Sequence, residues 1–419
     1  MTRTALVRRL GTGDAVVIGL GSMIGAGVFS AFAPAARAAG SGLLIGLALA
    51  AAVAYCNAVA SAQLAAQYPT SGGTYVYGRE RLGDWWGFVA GWGFVVGKIA
   101  SCAAMALTFG SYAVGGSEWA VRLVALAAVV TLTAANYRGI SKTAAAARVL
   151  VALSIAALLV VVCTIAADHD QGFGREGLSS WGTGGLYGIL QAAGLLFFAF
   201  AGYARIATLG EEVREPERTI PRAIPIALGI AIGIYALVGI AALIALGPDA
   251  LAASTKPLSD AVDAVGAAWA VPVVRIGAAV ASLGALLALV AGVGRTGLAM
   301  ARNGDLPRWL DSVHPRYRVP DHAELAVAAV VSVLVLTTDL RGAIGFSSFG
   351  VLTYYAIANA SAFTQHAAHR RWPRIFNVVG LVGCAVLVVT LPWTAVVAGI
   401  AVFVVGIAGR AAAGFLRGD

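Results

Sequence analysis

Four glycines, Gly19, Gly21, Gly25 and Gly27, crowd the apolar run Gly-Leu-Gly-Ser-Met-Ile-Gly-Ala-Gly-Val-Phe at 19–29. Each costs a helix roughly 1 kcal/mol relative to alanine. Irregular backbone at membrane depth survives only where it is buried in protein or lines a cavity. The run reads as a helix broken on purpose, with bare amide and carbonyl groups facing something small. A second interruption follows at Phe197-Phe-Ala-Phe-Ala-Gly-Tyr-Ala-Arg, where Gly202 sits among small residues and Arg205 follows.

Broken helices expose helix ends. The N-terminal end of a half-helix presents unpaired amides and positive dipole, which suit a carboxylate. The C-terminal end presents carbonyls, which suit an ammonium or metal cation. Two such breaks together suit a zwitterion, an α-amino acid. Gly25, Ala26 and Gly27 are expected to offer amides to its carboxylate, and Met23, Phe198 and Ala201 carbonyls to its amine. Ile24, Gly202 and Tyr203 complete the expected substrate-binding set. The competing reading is that the glycines merely let helices approach closely, as in small-xxx-small contacts.

Lys98 falls near the middle of an apolar segment and costs at least about 3 kcal/mol at the bilayer centre. No Asp or Glu lies at comparable depth. It must face a wet cavity, pair with backbone carbonyls, or be neutral. A desolvated lysine can give up its proton, which makes it a candidate proton carrier. Arg205 does not deprotonate and needs a partner, with Glu211, Glu212 and Asp14 as candidates. A gate ion pair is favoured over substrate contact.

No catalytic set is visible. His169, His314, His322, His366 and His369 lie in or beside loops. Only His366 and His369 are close in sequence, which is weak as a metal site. Without a phosphate loop, ATP is not the expected energy source. No metal, no cofactor and no enzymatic activity are expected. The alternative to transport is a membrane receptor or sensor that binds an amino acid without moving it.

The elements that position these residues follow from composition. Of 419 residues, 59% are hydrophobic and 12% charged, and mean hydropathy is +0.84. Soluble domains carry about 25% charged residues. Each crossing of the roughly 30 Å acyl core takes about 20 residues. Apolar runs between polar breaks predict twelve spans, near 13–36, 40–66, 83–112, 119–137, 146–167, 186–209, 222–247, 268–297, 322–339, 343–366, 375–391 and 393–409. The chain is therefore read as an all-α membrane protein.

The net charge of +9 does not point to nucleic acid. With both termini cytoplasmic, 21 of the 29 Lys and Arg fall on cytoplasmic segments. The external ones are Arg37, Arg122, Arg175, Lys256, Arg275 and Arg341. This is the bias of the positive-inside rule. No cleaved signal peptide is expected. Cys56, Cys102, Cys163 and Cys384 all fall within spans. The external loop Val114-Gly-Gly-Ser-Glu118 offers no thiol for a disulfide-linked accessory subunit.

The broken spans stand first and sixth, five apart. A repeat of five spans must insert in opposite orientations, and matched broken helices in two halves mark a transporter site at the midplane. The organisation expected is a cytoplasmic N-terminus at 1–12, a first five-helix repeat at 13–167 and a second at 168–366. The last two helices and a cytoplasmic tail occupy 367–419.

Gly-Ser-Met-Ile-Gly-Ala-Gly-Val-Phe, Tyr68-Pro-Thr-Ser-Gly-Gly-Thr-Tyr-Val-Tyr, Phe197 through Arg222 and Ala301-Arg-Asn-Gly-Asp-Leu-Pro resemble motifs of one family. It is the amino acid–polyamine–organocation transporter family, with the LeuT-type five-plus-five inverted-repeat fold. The resemblance spans about Gly13 to Gly409. It is nearest in pattern to the cationic amino acid transporter branch.

The resemblance implies alternating access at the plasma membrane by a symporter or antiporter. It makes Phe198 an aromatic gate and puts Lys98 at a substrate-lining position. Two departures stand out. Ala204 replaces an acidic residue of the cationic branch. Ser154 replaces a lysine that many proton-coupled members carry. Ser154, Ser282 and carbonyls near Leu20 and Met23 could hold sodium, so sodium, a proton on Lys98 and uncoupled exchange stay open. Two buried cations with no buried acid disfavour a cationic substrate, which points to neutral or acidic amino acids.

Overall fold

A computed structural model describes residues 10–70, 72–114, 116–138, 144–167 and 184–417. It is built of helices. The first predicted span is divided into α1 (Thr12–Met23), α2 (Ala26–Ser30) and α3 (Phe32–Ala39). There follow α4 (Leu43–Gln67), α5 (Thr74–Leu82), α6 (Asp84–Ala113), α7 (Glu118–Tyr137) and α8 (Ala144–Ala167). The sixth predicted span is α9 (Gly185–Phe200), a 3₁₀ turn (Ala201–Tyr203) and α10 (Ala204–Ala207). Beyond it lie α11 (Pro216–Ala253), α12 (Pro257–Ala264), α13 (Ala270–Arg302) and α14 (Asp321–Thr337). The chain closes with α15 (Leu340–Phe363), α16 (Arg374–Thr390) and α17 (Trp393–Arg417).

Among the described residues nine helices are long and apolar enough to cross a membrane, counting α1–α2 and α9–α10 as one each. The expected spans near 322–339, 343–366 and 375–391 are occupied by α14, α15 and α16. Two short helices were not foreseen, α5 and α12. Each lies in a connection whose polar residues hide a buried side: Tyr75 and Tyr77 on α5, Leu258 and Val262 on α12. Pro257 opens α12, where its fixed φ suits a helix start. His169 and Arg175 lie outside the described residues.

The broken helices sit at the centre. α1 packs on α8 and α11, α9 on α4, and α6 on both α13 and α15. The α6–α15 approach is set by glycine: a Cβ on Gly350 would fall 2.7 Å from the Gly93 carbonyl and 2.8 Å from the Gly97 Cα. Ser101 and Ser347 hydrogen bond across the same seam at 2.6 Å.

Candidate functional site

The first break is a defined turn. α1 ends at Met23, and Ile24 (φ −78°, ψ 64°) carries the chain through an inverse γ-turn. Its hydrogen bond runs from the Gly25 amide to the Met23 carbonyl at 2.8 Å. Gly25 (φ −112°, ψ −143°) leaves helical space and α2 starts at Ala26. The amides of Ala26, Gly27 and Val28 are the first of a helix, so no carbonyl within it can accept them.

The second break is tightened rather than unwound. α9 passes into the 3₁₀ turn, with the Ala201 amide bonded to the Phe198 carbonyl. Close approach explains its glycine. A Cβ on Gly202 would lie 2.2 Å from the Ser22 carbonyl oxygen and 2.5 Å from the Met23 nitrogen. On the other side of the crossing, a Cβ on Gly27 would lie 2.6 Å from the Ala199 Cα. Both sequence readings of the glycines thus operate: Gly25 sits at a break, while Gly27 and Gly202 let two main chains touch.

Four expectations need correction. Gly25 does not present a free amide, because the γ-turn uses it. Met23 does not present a free carbonyl: it accepts from Gly25 and from the Tyr235 hydroxyl at 2.6 Å. Ala201 accepts from Lys98 Nζ at 3.2 Å and the Tyr355 hydroxyl at 3.3 Å. Phe198 has its carbonyl in the 3₁₀ turn, while its ring is buried in one cluster with Ala26 and Ala285.

Tyr235 and Tyr355 are the site residues that the sequence reading missed. The Tyr235 hydroxyl also reaches the Ala199 carbonyl at 3.0 Å, so its one proton is shared between carbonyls of the two broken helices. Tyr355 stacks on Tyr203, with ring centroids 5.0 Å apart. Nothing in the local sequence of α11 or α15 singles these tyrosines out among apolar neighbours. Their meaning comes from what crosses beneath them.

Lys98 is 8% exposed and donates to the Ala201 carbonyl. No acid among the described residues lies within ion-pair distance of it. Arg205 is placed 3.8 Å from Glu212 and 3.2 Å from Thr208 Oγ1. Asp14 is taken instead by Arg148 and the Gly11 amide.

A cavity of about 210 Å³ runs from the first break toward the face where α1 begins. Ile24, Ser154, Ala281 and Ala285 line its inner part, and Arg205 and Glu212 its outer part. Ser154 donates to the Leu150 carbonyl at 2.8 Å. Ser282 is fully buried with its hydroxyl unpartnered, and the α13 residues lining this cavity are its neighbours rather than Ser282 itself. The Leu20 carbonyl accepts from Ile24 at 2.6 Å. No group of three His, Cys, Asp or Glu capable of holding a metal occurs among the described residues.

On the α1 face, Asp305 is 2% exposed in its side chain and pairs with Arg79 at 3.0 Å and Arg410 at 2.9 Å. Tyr75 donates to it at 2.7 Å. Burial, then the neighbouring carboxylate, push the Tyr75 hydroxyl up to about 12, so it stays a donor. This cluster joins α5, the loop that follows α13, and α17.

Two interrupted helices with their main chains in contact thus lie among many apolar helices. The model of the amino acid permease family matches residues 10–414, and the chain belongs to this family, within the amino acid–polyamine–organocation group. It is 62% identical over 404 residues to an "Uncharacterized transporter" of Mycobacterium tuberculosis, covering 96% of this chain and 90% of that one. It is 25% identical to the "Branched-chain amino acid permease BcaP" of Bacillus subtilis, over 94% of this chain and 90% of that protein. It is 29% identical to the human "Cationic amino acid transporter 4", over 85% of this chain and 60% of that protein.

Proposed function

We propose that the protein is a secondary transporter that carries amino acids across the plasma membrane by alternating access. In this reading twelve spans form a LeuT-type fold. α1–α8 make one five-span repeat, α9–α15 its inverted partner, and α16 and α17 stand outside. Both termini are cytoplasmic in this reading, which the positive-inside bias of the basic segments supports, and the α1 face is then the inner face.

The observation that carries the proposal is the break at Ile24–Gly25 against the 3₁₀ turn at Ala201–Tyr203. The amides of Ala26 and Gly27 receive the substrate carboxylate. The amine is received by the tyrosine-bridged carbonyls of Met23, Ala199 and Ala201 once their present donors give way. Phe198 covers the substrate, and Arg205 with Glu212 gates the inner side. Lys98 is the proton-coupling group, or a fixed charge in an exchanger. Its ammonium beside Ala201 opposes a cationic side chain, so the substrates are neutral or acidic.

Proteoliposomes carrying the purified protein are expected to accumulate or exchange at least one labelled amino acid under imposed proton or sodium gradients. Absence of flux across a complete amino-acid panel, with gradients of both signs, would overturn the proposal.

A further inference from the structure

A second, larger cavity of about 540 Å³ opens on the opposite face, where α6 ends and α7 and α15 begin. Four cations line it, Arg37, Arg122, Lys256 and Arg341, against two acids, Glu118 and Asp339. Two of the cations are matched: Arg122 by Glu118 at 2.6 Å and Lys256 by Asp260 at 3.5 Å. Asp339 is occupied as the N-cap of α15, accepting from the Gly342 amide at 2.9 Å.

Arg37 and Arg341 are left over. Among the described residues neither forms an ion pair. Arg37 donates to the Ala252 carbonyl at 3.0 Å, and Arg341 to Gln191 Oε1 at 3.1 Å. The buried Nε of Arg341 has no acceptor. Arg37 and Arg341 line the same cavity as like charges, with Asp339 as an opposite charge beside Arg341. Neither can be relieved by losing a proton. Two permanently charged forks without an ion-pair partner among the described residues offer a cavity-bound anion their hydrogen bonds. A planar fork fits a carboxylate through two parallel hydrogen bonds, which a spherical anion cannot make.

We propose that this cavity is a carboxylate-binding subsite, with Arg37 and Arg341 as its clamp. Occupancy by a carboxylate does not depend on transport. Its role as the outer stop for an acidic or zwitterionic amino acid rests on the transport reading. The same field turns cationic amino acids away before they reach the breaks.

The test is binding to the full-length protein in detergent, by calorimetry and thermal stabilisation, with succinate as probe. Succinate has two carboxylates and no ammonium, so it does not satisfy the central site. Wild type is expected to bind it, with acetate competing and chloride at equal ionic strength failing to compete. Arg37→Gln combined with Arg341→Gln is expected to weaken succinate at least tenfold. Arg37→Gln alone, at an exposed residue, is expected to weaken it at least threefold and serves if the double variant does not fold. Three results would each overturn the proposal: no succinate binding to wild type, unchanged binding in these variants, or displacement by chloride as effective as by acetate. Succinate binding without amino-acid flux would remove the transport reading and leave the subsite standing. Flux without succinate binding would do the reverse.

Discussion

Gly202→Ala is the sharpest perturbation of the helix crossing. The added Cβ would lie 2.2 Å from Ser22 O, 2.3 Å from Ser22 C and 2.5 Å from Met23 N. Ordinary contact begins at 3.4 Å, so the 3₁₀ turn and the end of α1 must part by about 1 Å. The obstructing atoms are backbone, and no side-chain rotation relieves them. Overpacking a fitted core costs about 1–3 kcal/mol, and a main-chain collision belongs at the upper end. Separation also stretches the Tyr235 hydroxyl between Met23 and Ala199, now held at 2.6 and 3.0 Å. Gly229→Ala is the control, because nothing lies within 4 Å of its added Cβ. There alanine gains helix propensity, roughly 0.5–1 kcal/mol. Thermal unfolding in detergent and uptake in proteoliposomes check the pair. Gly202→Ala should lower the melting temperature and cut uptake at least tenfold, while Gly229→Ala does neither. A Gly202→Ala protein as stable and active as wild type would refute the reasoning.

Other outcomes follow from the same geometry. Tyr235→Phe removes the hydroxyl shared by the Met23 and Ala199 carbonyls, costing about 0.5–1.5 kcal/mol because the Met23 carbonyl keeps the Gly25 amide; an unchanged melting temperature would contradict this. Lys98→Met removes the donor to Ala201 and is expected to abolish proton-driven uptake while sparing exchange; uptake with unaltered pH dependence would show that Lys98 is not the coupling group. Asp305→Asn strips a buried carboxylate from Arg79 and Arg410, at a cost of about 2–3 kcal/mol, below the full buried-pair value because Arg79 is 25% exposed. A double-mutant cycle with Arg410→Gln reads the coupling directly, and additive losses would deny it. Cys56, Cys102 and Cys384 are buried, and Cys163 is exposed but sits within the apolar helix α8 rather than in a loop, so non-reducing electrophoresis should show no covalent heteromer.

The backbone devices were legible because glycine clusters and a mid-span lysine are expensive in a bilayer and therefore conspicuous. Gly25 marked the first break for that reason. Gly202 marked the second, although what the position demands is room for Ser22 and Met23 rather than an unwound chain. The tyrosines were not legible. Tyr235 and Tyr355 look like any aromatic residue on an apolar helix, and only the crossing of α1 with the 3₁₀ turn reveals which carbonyls their hydroxyls reach. The partner of Arg205 was ambiguous for the same reason. Sequence placed Glu211, Glu212 and Asp14 nearby, and three-dimensional placement gave Asp14 to Arg148. The short helices α5 and α12 escaped because their buried residues are too few to set up a period.

In the proposed transport cycle the main chain at the Ile24–Gly25 break receives an amino acid's carboxylate. An experimental density map of the protein saturated with a transported amino acid tests it most directly. The carboxylate is expected within hydrogen-bond distance of the Ala26 and Gly27 amides, with Tyr235 or Lys98 moved off its carbonyl to admit the amine. A continuous α-helix through Gly25, or a substrate seated away from these amides, would contradict it.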